Sequence, residues 1–104
     1  MAEARIDSGI CGMTTTVRAT TAGPSVHLEF ESDCGYVQAL AETLTEVEPF
    51  SEISYRGEGP LTLRRAAEHL VHPACPVPAG TIKAIEVAAG LALPRDAHIC
   101  PSKE

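Results

Sequence analysis

A chain of 104 residues with a formal net charge of −6 has the length of one domain, so we expect residues 1–104 to fold as a single globular unit. Hydrophobic residues make up 44% of the chain and charged residues 21%, which is typical of a folded protein and excludes intrinsic disorder. Aromatic residues contribute only 4%, and there is no Trp, so the core must be built from aliphatic side chains.

The acidic balance argues against two classes of partner. A nucleic-acid-binding protein needs clustered Lys and Arg, and the nearest cluster, Arg64 and Arg65, is followed within one helical turn by Glu68. No apolar stretch approaches the roughly 20 residues of a membrane span, and the charges at Glu3 and Arg5 are not those of a signal peptide. We therefore expect a cytoplasmic protein with no nucleic-acid or membrane partner, which binds another protein or forms a homodimer.

The first elements predicted along the chain are strands. Residues 4–7 predict a short edge strand or a disordered start, and residues 8–12 predict a glycine-rich turn around Cys11. Apolar and polar residues alternate in 14–20 and again in 25–31, which is the period of strands with one buried face. Residues 21–24 form the turn of this predicted hairpin. Its inward-facing residues are Val17, Val26, Leu28 and Phe30.

Three helices are predicted after the hairpin. The first begins after Asp33, its expected N-cap, and ends at Pro49. The second covers residues 60–71, and the third covers residues 79–89 with apolar residues around more than half of its circumference. Short strands are further predicted at 53–55 and 97–100. The pattern predicts an α/β (α+β) fold in two layers, a small, mainly antiparallel sheet with three helices on one face.

Four cysteines are the residues most suggestive of chemistry. The 22, 40 and 24 residues that lie between successive cysteines do not match the paired spacing of zinc ribbons and zinc fingers. One local pair remains, because only two residues separate His72 from Cys75 in a loop that three prolines stiffen. In a reducing compartment, free thiols or metal ligands are expected ahead of disulfides.

The positions of the cysteines predict a metal centre. Cys34 and Cys75 each lie at the beginning of a predicted helix, where free N–H groups favour the thiolate, so both should react faster than Cys100. If both helices begin at one edge of the sheet, these sulfurs converge with that of Cys11. The predicted ligands are Cys11, Cys34 and Cys75, completed by His72 for zinc or by Cys100 for an iron–sulfur cluster.

Two alternatives remain beside the metal-binding hypothesis. Free cysteine often serves as a small apolar filler, in which case the chain is a protein-interaction module without a metal. A thiol enzyme ranks last, because a nucleophilic cysteine needs an oriented histidine and no residue is placed to orient His72 beside Cys75. We therefore predict no catalytic residue.

The order of these motifs resembles the TSCPD domain family. The shared features are Gly-Ile-Cys at 9–11, a strand pair, Asp-Cys at 33–34 opening a helix, and Cys-Pro at 75–76 before another helix. The resemblance covers roughly residues 9–90. It implies a small α/β domain suggested to bind metal through cysteines, which match Cys11, Cys34 and Cys75 by position.

The chain departs from that family at its most specific motif. Residues 73–77 read Pro-Ala-Cys-Pro-Val in place of Thr-Ser-Cys-Pro-Asp, and the family's additional cysteine before this motif is missing. His72 is the residue that would take its place as a ligand. A cysteine at a helix start in a small α/β layer is also similar to NifU-like cluster scaffolds, although their paired C-x-x-C motif is absent.

Overall fold

The computed structural model describes residues 1–103 as a four-stranded antiparallel sheet covered by helices on one face. The strands lie in the order β1-β2-β3-β4, so each strand pairs with its neighbours in sequence. The predicted two-layer α/β fold with a small antiparallel sheet is confirmed. The elements in chain order are β1 (Ala2–Asp7), β2 (Thr14–Ala22), β3 (Ser25–Ser32), α1 (Gly35–Thr43), β4 (Glu46–Val47), α2 (Pro49–Glu52), α3 (Leu61–His69) and α4 (Val77–Ala88).

Strands β2 and β3 form the predicted hairpin. Val17 lies opposite Phe30, and the inward-facing side chains are buried or, for Phe30, half-buried against the core. The two residues between the strands are Gly23 and Pro24, and Gly23 has a φ of 62°. A type II′ hairpin turn requires this positive φ at its first position, whereas proline suits only the negative φ of the second.

The first helix is shorter than predicted and begins one residue later. Cys34, not Asp33, is the N-cap residue, and the helix ends at Thr43 instead of continuing to Pro49. The chain then returns to the sheet as β4, where the buried Val47 pairs with Val26. The predicted helical position of Val47 was wrong because over a few residues an apolar spacing fits either period.

Two predicted strands are absent from the part of the chain that the structure describes. Ile53 forms a bend after α2, and residues 54–55 and 97–100 have no regular secondary structure. Ile99 is 86% exposed, so the C-terminal segment buries no apolar surface that could offset the entropy of ordering it as a strand.

Helices α1 and α4 cover the same face of the sheet, with α1 against β3 and α4 against β1 and β2. The opposite face is polar, and there Arg18 lies 3.1 Å from both Glu3 and Glu31. The hydrogen bond to Glu31 is the main reason why the pKa of Arg18 is raised.

Within residues 1–103, no helix has the length and apolar character needed to cross a membrane. The core consists of Ile6, Val17, Ala19, Val26, Leu28, Val37, Leu40, Leu44, Val47, Val77, Ala84 and Ile85.

Candidate functional site

The cysteines predicted as metal ligands lie on the connections between secondary structure elements. Cys11 occupies the turn between β1 and β2, Cys34 directly precedes α1, and Cys75 lies two residues before α4. Strand β1 ends where β2 begins, with Asp7 opposite Thr14, and β3 ends beside the same point. Cys11 and Cys34 are therefore at one end of the sheet.

The beginning of α4 reaches that same end. Gly80, in the first turns of α4, packs on Ile6 near the end of β1, so closely that a Cβ at Gly80 would lie 2.5 Å from the Cδ1 and Cγ1 atoms of Ile6. This approach places the first turns of α4, which follow Cys75 in the chain, against the end of β1.

The side chains at this end do not share one environment. Cys34 and Cys75 are half-buried and pack against the core, whereas Cys11 and His72 are exposed. The backbone N–H of Cys75 donates to the carbonyl oxygen of His72 at 3.1 Å, which closes a turn between these two residues. All four cysteines, including Cys100, are free.

The predicted ligands do not assemble into a metal site. In the 103 described residues, no group of three or more His, Cys, Asp or Glu side chains could hold a metal ion. Cys100, the predicted iron–sulfur ligand, is exposed in the segment that follows α4. Metal binding is therefore not supported by the structure. Cys34 and Cys75 contact the core as small apolar side chains do.

A second candidate site lies on the segment from the start of α2 to α3. Pro49 occupies the first position of α2, and the Glu48 carboxylate accepts hydrogen bonds from the backbone N–H groups of Phe50 at 3.2 Å and Ser51 at 3.0 Å. A side-chain acceptor at the N-cap satisfies N–H groups that have no partner within the helix. The short helix is thus capped by Glu48, the residue that directly precedes it.

The carboxylate of Glu52 holds the other end of this segment. It is 2% exposed, and it accepts hydrogen bonds from the backbone N–H groups of Leu61 and Thr62, each at 2.9 Å, and from the Thr62 hydroxyl. The N-cap residue of α3 is Pro60, whose side chain has no acceptor. Glu52 therefore caps α3 from a distance and ties the intervening loop to both helices.

The same segment exposes large apolar side chains. Phe50 is 67% exposed, Ile53 42% and Tyr55 86%. The chain contains two Phe and two Tyr, so half of its aromatic residues lie in this one connection. We define the α2–α3 surface as Phe50, Ile53, Tyr55, Arg56 and Arg64.

An open cleft of about 340 Å³ lies beside three residues of the α2–α3 surface, Phe50, Arg56 and Arg64. Arg64 approaches Glu58 at 3.9 Å, and Arg56 forms no ion pair with any residue in 1–103. An aromatic side chain beside two guanidinium groups can bind an apolar group that carries a neighbouring carboxylate. The residues lining the cleft are Phe50, Ser51, Ser54, Arg56, Glu58, Gly59 and Arg64.

Sequence patterns did not single out this surface and predicted only a short strand at residues 53–55 within it. The available signal was the concentration of aromatic residues in a connection between helices, directly after a Glu-Pro pair that begins a helix. Glu52 gave no such signal, because its hydrogen-bonding partners are nine and ten residues away along the chain.

Comparison with known proteins assigns this chain to one family. The chain belongs to a family of unknown function, DUF6951, whose model matches residues 2–100. No curated protein matches the chain. No solved structure matches it either. The resemblance to TSCPD and NifU-like domains stays a prediction.

Proposed function

We propose that this member of the DUF6951 family is a protein-interaction domain whose α2–α3 surface binds an exposed segment of a partner protein. The proposal rests on one observation about the loop between α2 and α3. The buried Glu52 carboxylate fixes this loop through hydrogen bonds to the backbone at the start of α3, while Phe50 and Tyr55 remain exposed. Side chains presented on a fixed backbone lose less conformational entropy on binding than side chains on a mobile loop.

The composition of the α2–α3 surface supports this function. Aromatic residues and Arg are enriched at the residues that contribute most to protein–protein binding, whereas Lys and Glu are depleted there. Phe50, Tyr55, Arg56 and Arg64 bring these types together on one short segment. A single cleft of about 340 Å³ suits one or two side chains of a partner and not a whole domain.

The charges indicate which partner segment fits. Arg56 has no ion-pair partner in residues 1–103, and Arg64 has only an exposed one in Glu58 at 3.9 Å. A carboxylate on the partner can form a bidentate hydrogen bond with either guanidinium, and an apolar side chain beside it can contact Phe50. The proposed ligand is a peptide segment with an aromatic or aliphatic anchor next to Asp or Glu.

Selection from a random peptide library displayed on phage tests this proposal. The wild-type chain should enrich peptides that contain a large apolar residue next to an acidic residue. Purified peptides should bind less tightly to the Phe50→Ala/Tyr55→Ala variant by at least about ten-fold, since each truncated anchor typically costs more than 1 kcal/mol. Isothermal titration calorimetry measures both affinities.

Tyr36 supplies the matched control, because it is a 53% exposed aromatic residue on α1, outside the α2–α3 surface. The Tyr36→Ala variant should bind the selected peptides as the wild type does. The Arg56→Glu variant should lose the acidic preference. Peptides that bind all variants equally, or selection that yields only basic peptides, would contradict the proposal.

A further inference from the structure

Strand β1 leaves one long edge of the sheet without a partner strand. It is a six-residue strand at the edge of the sheet, whereas the opposite edge is the two-residue β4. Alternate backbone N–H and C=O groups of an edge strand point away from the sheet and can pair with another strand. Within residues 1–103, β1 pairs only with β2.

Natural proteins protect such an edge with proline, a bulge, a charge that points inward or charged side chains along the edge. The sequence of β1 has no proline, its pairing with β2 runs without interruption, and its inward-facing residues are Ala2, Ala4 and Ile6. The charges of β1, Glu3, Arg5 and Asp7, all lie on its outward-facing side. They therefore decide which strand this edge can accept.

We propose that β1 pairs with β1 of a second copy of this chain, antiparallel and about a two-fold axis, so that the two sheets join into one. The partner is argued from the charges of β1 itself. Its outward-facing residues alternate in sign, with Glu3 acidic, Arg5 basic and Asp7 acidic. The adjacent outward-facing pair Glu3 and Arg5 is complementary to its own reversed copy.

The side-chain faces restrict the register. Inward-facing residues must lie opposite inward-facing residues, because a one-residue slip would turn every side chain of one copy to the wrong face. Three registers satisfy this condition near the middle of β1, centred on Glu3, on Ala4 or on Arg5. The first places Glu3 opposite Glu3 of the partner subunit, and the third places Arg5 opposite Arg5 of the partner subunit.

Only the register centred on Ala4 places opposite charges together. It pairs Glu3 with Arg5 of the partner subunit and, by symmetry, Arg5 with Glu3 of the partner subunit. Like charges directly opposite each other destabilise a strand pair, and opposite charges stabilise it. Arg5 has no ion pair in residues 1–103, whereas Glu3 already contacts Arg18 at 3.1 Å. The dimer would thus extend an existing row of alternating charges across the two-fold axis.

The position of α4 is compatible with the same assembly. This helix packs over both β1 and β2. Joining the sheets at β1 therefore places the two copies of α4 on the same face of the continuous sheet, on either side of the two-fold axis.

Mixing two charge variants tests the dimer and its register together. Arg5→Glu makes both outward residues acidic, and Glu3→Arg makes both basic, so each variant alone opposes like charges twice across the axis. Sedimentation equilibrium from micromolar to millimolar protein should show the wild type dimerising to twice its 11.0 kDa mass. Each variant alone should dissociate at least about ten-fold more readily. An equal mixture of the two should dimerise again, because every pair is then opposite in charge.

A control separates this effect from net charge. Arg95→Glu makes the same charge change as Arg5→Glu at an exposed position after α4 and should leave dimerisation unchanged. Circular dichroism shows whether each variant is folded, and recovery of the dimer in the mixture would itself exclude misfolding. A wild type that stays monomeric over the whole range, or variants that do not complement each other, would overturn the proposal. These outcomes do not depend on the α2–α3 surface, which contains no residue of β1.

Discussion

Single buried side chains decide the local structure around the α2–α3 surface. The Glu52 carboxylate accepts three hydrogen bonds at the beginning of α3, where the helix dipole also favours negative charge. Every buried side-chain nitrogen or oxygen in residues 1–103 has a hydrogen-bond partner, Glu52 included. A polar group this deeply buried is tolerated because its partners are already in place.

Replacing Glu52 with Gln should destabilise the protein by about 1–3 kcal/mol, because the new amide N–H₂ would face N–H donors at the start of α3. Urea unfolding of Glu52→Gln measures the change in free energy. Glu58→Gln is the matched control, since its 84% exposed side chain has only a 3.9 Å contact with Arg64. Its effect should stay within about 0.5 kcal/mol. Equal losses in both variants would show that Glu52 is not the cap described above.

The surroundings of the four thiols lead to a different expectation from their sequence positions. Cys11 and Cys100 are exposed, whereas Cys34 and Cys75 are half-buried. We expect Cys11 and Cys100 to react first with a thiol reagent in anaerobically purified protein, because accessibility limits the two half-buried thiols. Mass spectrometry of partly labelled protein gives the order.

The same experiment repeated with added zinc tests the metal hypothesis. Zinc should leave all four labelling rates unchanged, since in residues 1–103 no three His, Cys, Asp or Glu side chains are placed together to hold a metal ion. Joint protection of Cys11, Cys34 and Cys75 by zinc, or stoichiometric metal in the purified protein, would instead support the predicted centre. The outcome therefore also tests the metal binding that the resemblance to the TSCPD family implies.

Among the elements, α4 depends most on close packing against the sheet. Gly80 allows the helix backbone to approach Ile6, although glycine lowers intrinsic helix stability. Thr81 is fully buried in the next position, and its hydroxyl donates to the carbonyl oxygen of Val77. Gly80 and Thr81 have low helix propensity, but their small side chains allow α4 to pack close to the sheet.

Gly80→Ala should destabilise the protein by about 1–3 kcal/mol, because the added methyl group overlaps the Ile6 side chain, and a gain in helix propensity of roughly 1 kcal/mol offsets this only in part. Gly35→Ala is the control. Gly35 is also helical, but no atom lies within 4 Å of its added methyl group. It should be neutral or stabilising in thermal unfolding. A stabilised Gly80→Ala variant would contradict the packing described for α4.

At the scale of the whole molecule, three surfaces with different chemistry surround one core. The outer face of the sheet is polar and cross-linked by Arg18, the β1 edge carries alternating charges, and the α2–α3 surface combines exposed aromatic residues with two arginines. Strand β1 and the α2–α3 surface share no residue, so the proposed dimer and the proposed peptide binding are compatible with each other.

Local sequence patterns predicted the hairpin well and the short elements poorly. The alternation around Val17 and Leu28 extends over two full strands, so only one register buries the apolar face. The segment at Val47 offers too few residues to distinguish a helix from a strand. Ile99 lies in a run with strand-like composition, yet that run gains no burial from the fold.

The sequence by itself determined the fold class, the hairpin and the aliphatic core, because these follow from composition and from the apolar pattern within single helices and strands. Only the tertiary structure decided where the cysteines lie relative to one another, which carboxylate caps α3, and which edge of the sheet stays open. Those features depend on contacts between residues far apart in the chain, such as Glu52 with Thr62 or Ile6 with Gly80. Spacing along the chain does not encode such distances, because they are set by how the helices pack on the sheet.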